Sequence, residues 1–296
     1  MERESPWGAL EVSDAHVHFF SHRFFAALAA QKPGLTLEAI ATQLGVHLPP
    51  ESPEKLGTTW THELDRHQVA RAALIASVPG DADSVLAAAH AHPGRFFSYA
   101  MVNPREWKPA PVDTVCLFPA MHRYSIHDAC VLPIFEWAAE NRRAVFVHCG
   151  VLSVGIRGKL GLESRFDLRY SNPVDLHAIA LQFPGVPIVV PHFGAGYFRE
   201  ALMLADLCPN VYLDTSSSNS WMRYQESHLD LRHVFRRTLD VTGPRRLLFG
   251  TDSSLFPWGW KHQVFDDQAK ALYEIGVSYD DARLIFGENL LRIMAH

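Results

Sequence analysis

The stretch "DAHVHFF", residues 14–20, lies in the first strongly apolar run of the chain and places two histidines one residue apart. Side chains at positions i and i+2 of a β-strand share one face, with Cα atoms roughly 6.6 Å apart. From that spacing the imidazoles of His16 and His18 can reach one metal ion at about 2.0–2.1 Å each. A pair of hydrogen-bonded, partly buried histidines is the alternative, and this stretch does not decide between the two.

The composition restricts the class of protein. The chain has 296 residues, of which 48% are hydrophobic, and a net charge of −5. This length fits one large α/β barrel or two ordinary domains, and the mild negative charge argues against a nucleic-acid partner. The four cysteines form no closely spaced pair, so we expect reduced thiols in a cytoplasmic protein. The first residues lack the apolar core of a signal peptide, and no apolar run reaches membrane-spanning length, so no membrane partner is expected.

Short apolar runs alternate with amphipathic stretches along the whole sequence. Several runs are apolar at consecutive positions and rich in Val, Ile and Phe, which is typical of strands buried on both faces. Helical patterns separate most of them, and this alternation predicts an α/β fold, a (β/α)8 TIM barrel forming a single domain over residues 1–296. The eight predicted strands lie within residues 10–20, 70–79, 95–104, 112–120, 144–150, 187–194, 210–217 and 246–254.

Two places depart from this regular alternation, so we expect a distorted barrel. Residues 20–69 form a long first crossover with two or three helices, which predicts a cap over the barrel mouth. Conversely, only "REWKPAP", residues 105–111, separates strands three and four, whereas a crossover normally takes about 10–12 residues or more. The third helix should therefore be missing and replaced by an extended link. Trp107 is the expected local cover for the exposed strand faces, and a partner subunit in a homodimer is the alternative.

Residues that can bind metal stand at the ends of the predicted strands. His148 and His192 end strands five and six, Asp252 ends strand eight, and His16 and His18 end strand one. In TIM barrels the active site lies at the carboxyl ends of the strands, so these side chains should meet at one rim. A set of histidines with one aspartate suits Zn, Mn, Fe or Co. We therefore expect His16 and His18 to be metal ligands.

This pattern resembles that of the amidohydrolase superfamily, whose members carry H-x-H on strand one, histidines after strands five and six, and aspartate after strand eight. The segments "AVFVHCG", "PHFGAG", "LLFGTDSS" and "IFGENLLRIM" are similar to its amidohydrolase-related branch, which includes aminocarboxymuconate-semialdehyde decarboxylase and pyrone-dicarboxylate lactonase. The resemblance covers nearly the whole chain. It implies one divalent metal, zinc first and Mn, Fe or Co as alternatives, held by His16, His18, His148 and Asp252. His192 would then be a catalytic residue beside the metal.

One position departs from the pattern of the superfamily. Many binuclear members carry a carboxylated lysine on strand four that bridges two metals, but here Cys116 stands at the corresponding place in "TVCLFP". We interpret Cys116 as a small, buried, apolar packing residue rather than as a thiolate ligand. The resemblance therefore implies a single metal.

The implied activity is hydrolysis. Asp252 and His192 would assist a metal-activated water that attacks a small cyclic ester or amide carbonyl compound. A metal-dependent, non-oxidative decarboxylase of an aromatic or unsaturated carboxylic acid is the alternative, because the same branch performs that reaction on the same ligand set. An inactive barrel that serves as a binding protein is the alternative from another class.

The substrate side of the site is less specific in sequence. Arg157 follows strand five, and guanidinium groups bind carboxylates bidentately, which predicts a small anionic substrate. His122 follows strand four and Trp221 follows strand seven, so both are candidates for substrate contact. A solvated basic loop and an aromatic roof over the mouth are the structural alternatives for these residues.

Overall fold

The structure is a computed structural model that describes residues 1–152, 154–164, 166–216 and 219–295. Two short antiparallel strands, β1 (Arg3–Ser5) and β2 (Gly8–Leu10), form an N-terminal hairpin. Eight parallel strands follow, and each pairs with the next in chain order. These barrel strands are β3 (Val12–Phe19), β4 (Val69–Ala76), β5 (Phe96–Val102), β6 (Thr114–Leu117), β7 (Ala144–Val147), β8 (Ile188–Val190), β9 (Val211–Asp214) and β10 (Leu247–Leu248).

Main-chain hydrogen bonds between β3 and the segment after β10 close the barrel. The amide of Asp252 donates to the carbonyl of His16 at 2.9 Å, and the amide of His18 donates to the carbonyl of Ser253 at 2.8 Å. The predicted TIM barrel is therefore confirmed, with a strand in each of the eight predicted runs. Closure places the histidines of the first barrel strand directly beside the aspartate that follows the last one.

Helices separate most of the barrel strands along the chain. Short 3₁₀ segments and one π-helical segment, Leu284–Glu288, lie between them. Within the described residues, no helix has the length and apolar character needed to cross a membrane. The α-helices are α1 (His22–Ala29), α2 (Leu37–Leu44), α3 (Pro53–Arg66), α4 (Ala82–Ala91), α5 (Pro119–His122), α6 (Leu132–Glu140), α7 (Gly155–Lys159), α8 (His177–Gln182), α9 (Phe198–Leu207), α10 (Leu231–Thr242), α11 (His262–Glu274), α12 (Tyr279–Arg283) and α13 (Asn289–Met294).

A layer of buried side chains fills the barrel interior below the carboxyl ends of the strands. Tyr99, Cys116 and Phe146 belong to this cluster, together with Leu290 and Met294 of the C-terminal helix α13. Burial raises the pKa of the Cys116 thiol well above its ordinary value. Cys116 is thus a neutral packing residue in the interior, as its position in the sequence suggested.

The predicted cap over the barrel mouth is present. The first crossover contains three helices, α1, α2 and α3. Phe24 and Leu28 of α1 and Ile40 of α2 pack with Leu160 and Leu255 in one buried cluster. This cluster joins the cap to the segments that follow β7 and β10, and so it roofs one side of the rim.

The link between β5 and β6 has no crossover helix, as predicted. It begins with a single 3₁₀ turn, Pro104–Glu106, and continues without regular structure to Thr114. The indole of Trp107 packs edge-on against Trp137 of α6, with ring centroids 6.0 Å apart, and is partly buried against the core. Trp107 therefore provides the local cover that the missing helix would otherwise supply.

Candidate metal centre

Three side chains with metal-ligating atoms converge at the carboxyl ends of β3 and β10. One ligand atom each of His16, His18 and Asp252 lies within 4.8 Å of the other two. The His18 Nε2 atom is 3.2 Å from Asp252 Oδ1, and His16 Nε2 is 3.7 Å from the same oxygen. The pairing register of β3 shifts between Asp14 and Val17, and such an irregularity can redirect side chains towards a site.

The protonation of His16 is set by a carboxylate behind it. Asp214, the last residue of β9, accepts a hydrogen bond from His16 Nδ1 at 2.7 Å, and both side chains are buried. Because a carboxylate only accepts, Nδ1 carries a proton, and Nε2 is the ring nitrogen turned towards Asp252. Within the part of the chain that the structure describes, His16 Nε2 is buried without a hydrogen-bond partner. This carboxylate–histidine arrangement is the one that orients metal ligands in other proteins.

The protonation of His18 is set in the same way by a serine. Ser77 follows β4, and its hydroxyl donates to the carbonyl of Ile75 at 3.0 Å. Its oxygen therefore accepts from His18 Nδ1 at 2.7 Å. His18 Nε2 is then the atom that carries a lone pair, and it is the atom that faces Asp252.

Two hydrogen-bond acceptors, His18 Nε2 and Asp252 Oδ1, thus face each other at 3.2 Å and need a cation between them. Burial lowers the pKa of His18, which disfavours a proton there. Burial acts in the same direction on His16, but the charge and hydrogen bond of Asp214 outweigh it and raise the pKa of His16. The electrostatic potential of the site therefore favours a bound cation. The donor set of two imidazoles and a carboxylate fits a divalent transition metal.

His148 and His192 complete the rim on the opposite side. The His192 ring lies 5.0 Å from the His16 ring and 5.4 Å from the His148 ring. Burial, and then the neighbouring imidazoles of His192 and His16, lower the pKa of His148 well below its ordinary value. His148 Nδ1 is buried and has no hydrogen-bond partner among the described residues. A neutral imidazole with an unused nitrogen is what a metal ligand requires.

Ser216 links the two sides of this rim. The Ser216 hydroxyl lies 3.0 Å from His16 Nδ1 and 2.9 Å from His192 Nδ1. The carbonyl oxygen of Ser216 is also 3.2 Å from His192 Nδ1. Since a carbonyl only accepts, His192 carries its proton on Nδ1 and keeps the lone pair on Nε2. Burial lowers the pKa of His192, which favours this neutral form.

The backbone at two of these residues is held in an uncommon conformation. His192 has a φ of 54° and Asp252 a φ of 56°, in the left-handed region that residues other than glycine rarely adopt. Such conformations persist where the surrounding structure holds them, and they are concentrated at functional sites. The strain at both positions therefore supports a functional role for this rim.

A cavity of about 740 Å³ opens onto the cluster, and most of its wall is apolar. His16, His18, His148, His192 and Asp252 all line it. A flat aromatic wall begins at His18, which stacks on Phe20 with ring centroids 5.2 Å apart. The cavity is also lined by Phe24, Ser77, Phe118, Arg157, Glu163, Phe166, Leu255 and Lys261.

The predicted substrate-contact residues have different locations. Arg157 lines the cavity, but its guanidinium donates two hydrogen bonds to the carbonyl of Glu163, at 2.7 and 3.1 Å. Trp221 is 1% exposed and packs against Phe193 and Phe198, because its large apolar ring is buried in the core beneath the rim. His122 stacks on Tyr124 at the end of α5. The structure therefore does not bring Trp221 or His122 into the described lining of the cavity.

Sequence reasoning missed the residues that orient the histidines. Asp214 and Ser77 were detectable in principle, because each ends or follows a predicted strand. Ser216 had a weaker signal, since it stands in a run of serines. Nothing in the sequence marked Lys261, whose ammonium group reaches the carbonyl of Asp252.

Gly250 allows the close approach of the elements that carry these side chains. A Cβ atom at this position would lie 2.7 Å from Asp214 Oδ1 and 2.9 Å from the Cβ of His16. We expect Gly250→Ala to lower the free energy of unfolding by about 1–3 kcal/mol through overpacking and to weaken metal binding. Denaturant unfolding and metal titration will measure both effects. Gly158→Ala is the control, because a Cβ atom there meets nothing within 4 Å; equal stability of the two variants would contradict the prediction.

The fold and the site together define a TIM barrel with a cluster of histidines and a carboxylate, a candidate metal centre, at the carboxyl ends of its strands. Residues 13–293 match the amidohydrolase family, Amidohydro_2. The chain belongs to this family, and the resemblance of its motifs to the amidohydrolase-related branch is confirmed.

Three solved structures share the fold over nearly the whole chain. An amidohydrolase from Burkholderia multivorans with bound zinc is 18% identical, with a TM-score of 0.63, over 96% of this chain and 99% of the other. A protein from Acinetobacter baumannii described as a probable 2-pyrone-4,6-dicarboxylic acid hydrolase, with bound citric acid, is 13% identical, with a TM-score of 0.63, over 97% and 100%. The 5-carboxyvanillate decarboxylase from Sphingomonas paucimobilis is 16% identical, with a TM-score of 0.60, over 96% and 99%.

A curated relative matches part of the chain. The protein fluG of Emericella nidulans is 35% identical over 122 residues, which is 40% of this chain. The matched region spans only 13% of the length of fluG.

Proposed function

We propose that this protein is a metal-dependent hydrolase that acts on a small cyclic ester or amide carbonyl compound. One divalent ion would be held by His16, His18, His148 and Asp252. The observation that carries the proposal is the pair of acceptor atoms, His18 Nε2 and Asp252 Oδ1, that face each other at 3.2 Å in the wall of the cavity. Zinc is the first metal to test, and its presence in the Burkholderia multivorans structure supports this choice.

The chain provides two proton acceptors next to the proposed metal. A divalent ion at this site would supply a Lewis acid that polarises a carbonyl oxygen and makes a coordinated water acidic. Asp252 directs Oδ1 towards the histidines and Oδ2 towards Lys261, so a second carboxylate oxygen remains near the cavity to take up a proton. His192 keeps its Nδ1 proton on Ser216, which leaves Nε2 to accept a hydrogen bond or a proton from a reacting group.

A non-oxidative decarboxylase of an aromatic or unsaturated acid is the second candidate function. The apolar side chains of Phe20, Phe118 and Leu255 line the cavity that contains the metal ligands. Such a wall favours decarboxylation, because the buried carboxylate leaves as neutral CO₂ while the electron pair of the broken bond passes to the substrate carbon, which then takes up a proton. The two types of named structural relative, hydrolase and decarboxylase, make both reactions worth measuring.

The test is a substrate screen with the zinc-loaded and manganese-loaded protein. Lactones and cyclic amides are followed by ring opening, and aromatic acids by release of CO₂. We expect ring opening to exceed CO₂ release. Greater CO₂ release would support the second candidate, and activity that persists after complete removal of metal would refute both.

The single-metal proposal makes a prediction about stoichiometry. Purified protein is expected to contain about one equivalent of a divalent transition metal per chain, because Cys116 is buried and neutral instead of bridging a second ion. A chelator should remove both the metal and the activity, and zinc should restore them. Elemental analysis that finds two equivalents, or none after reconstitution, would contradict the prediction.

A further inference from the structure

A lysine stands on the cavity wall directly beside Asp252. Lys261 immediately precedes α11, and its main-chain amide donates to the Ser253 hydroxyl at 2.9 Å. Its ammonium group donates to the carbonyl oxygen of Asp252 and lies 3.7 Å from Asp252 Oδ2. Because an ammonium group has three donors, this arrangement leaves it able to bind a further acceptor from the cavity. The side chain is 38% exposed, so a ligand can reach it.

The carboxylate of Asp252 lies between two positively charged positions. Its Oδ1 faces the histidine cluster, where the proposed metal binds, and its Oδ2 faces Lys261. Only the Asp252 carboxylate therefore separates the Lys261 ammonium group from the place where the proposed metal and its ligand would bind. We propose that Lys261 anchors an anionic group of the substrate next to the reacting carbon. This inference rests on the proposed metal-dependent function.

Arg157 is the other described cation on the cavity wall, and its position is less favourable. Its Nε and Nη2 atoms donate to the carbonyl of Glu163, so the guanidinium organises the loop that follows α7. Glu163 itself also lines the cavity near this end. Lys261 also stands beside a carboxylate, that of Asp252, but an anion at Lys261 would in addition lie next to the proposed metal.

The apolar surroundings strengthen an anion–lysine contact. Phe20, Phe118 and Leu255 contribute apolar surface to the same cavity. Charge-assisted hydrogen bonds in such surroundings are stronger than hydrogen bonds between neutral groups. Lys261 therefore determines a preference for anionic over neutral ligands of the same shape.

The experiment compares the binding of benzoate and benzamide, two flat ligands that differ in charge, by calorimetry on the zinc-loaded protein. In Lys261→Gln, which keeps a donor for the Asp252 carbonyl but loses the charge, we expect benzoate affinity to fall by about tenfold or more. Benzamide affinity should change by no more than about twofold. Lys159→Gln is the matched control, because Lys159 is exposed and lies outside the described lining of the cavity.

Zinc content, measured on the same samples, separates the other roles of Lys261. Unchanged zinc content with selective loss of benzoate binding supports the anchor. Loss of zinc in Lys261→Gln, or an equal loss of both ligands, would show that Lys261 only positions Asp252 and would overturn the proposal. Failure of the native protein to bind benzoate more tightly than benzamide, or a selective loss in Arg157→Gln instead, would also overturn it. Failure of the native protein to take up zinc would instead refute the proposed function.

Discussion

Asp252→Asn is expected to lower kcat/KM by about 10⁴-fold, because the substitution removes a proposed metal ligand and a proton acceptor together. The asparagine keeps the shape of the side chain but cannot carry the negative charge between His18 and Lys261. Burial acts to raise the pKa of Asp252, but its neighbours His18, His16 and Lys261 outweigh burial and hold this pKa well below its usual range. The native carboxylate is therefore ionised, and its loss should also weaken zinc binding.

Steady-state kinetics on the substrate found by the screen, with zinc content measured in parallel, will check this expectation. Asp240→Asn is the matched control, since Asp240 is exposed on α10 and far from the rim in the fold. Retention of full activity by Asp252→Asn would remove Asp252 from both of its proposed roles. Retention of zinc with loss of activity would leave it as a proton acceptor only.

His192→Asn is expected to keep its zinc and to lose about 10²-fold or more in kcat/KM. Asparagine is chosen because it tolerates the left-handed backbone that His192 adopts, and because its amide can donate to the Ser216 carbonyl. The variant therefore removes the lone pair on Nε2 while preserving the local backbone. Since His192 is proposed to act on the reacting group rather than to hold the metal, binding of zinc should remain intact.

His148→Ala gives the necessary comparison, because it should lose both zinc and activity. Equal loss of zinc in the His148 and His192 variants would identify His192 as a ligand, contrary to the proposal. His228→Asn, at an exposed position, controls for the general effect of the histidine-to-asparagine change. Thermal unfolding of each variant will show whether a loss of activity reflects unfolding instead.

Much of the fold was predictable because its pattern is local. Strands buried on both faces need consecutive apolar residues, and the runs around β4, β5 and β7 have them. The short, proline-rich link before β6 also predicted correctly that no crossover helix precedes this strand. The N-terminal hairpin was not predicted, because β1 and β2 have three residues each and are too short for a periodic signal. A tertiary contact holds the hairpin instead, because the Trp7 indole donates a hydrogen bond to the carbonyl of Val277 at 2.7 Å.

The candidate site was predictable only in part. His16, His18 and Asp252 stand at strand ends, and parallel strands in a barrel must bring their carboxyl ends to one rim. Trp221 and His122 follow strands too, yet they are not in the described lining of the cavity. A position after a strand therefore predicts that a residue lies near the rim, but it does not determine where the side chain points. That direction depends on whether the side chain packs into the core or faces the cavity.

The sequence by itself determined the order of the strands, the barrel and the residue types at its rim, because these follow from apolar periodicity and from short motifs. Only the tertiary structure decided how the rim is protonated and charged. Asp214 is 198 residues from the His16 that it orients, and His18 is brought beside Asp252 by the pairing of the first barrel strand with the segment after the last. Hydrogen bonds have strict distance and angle requirements. Partners so far apart in the chain meet those requirements only after the first and last strands have paired, and no local pattern records that geometry.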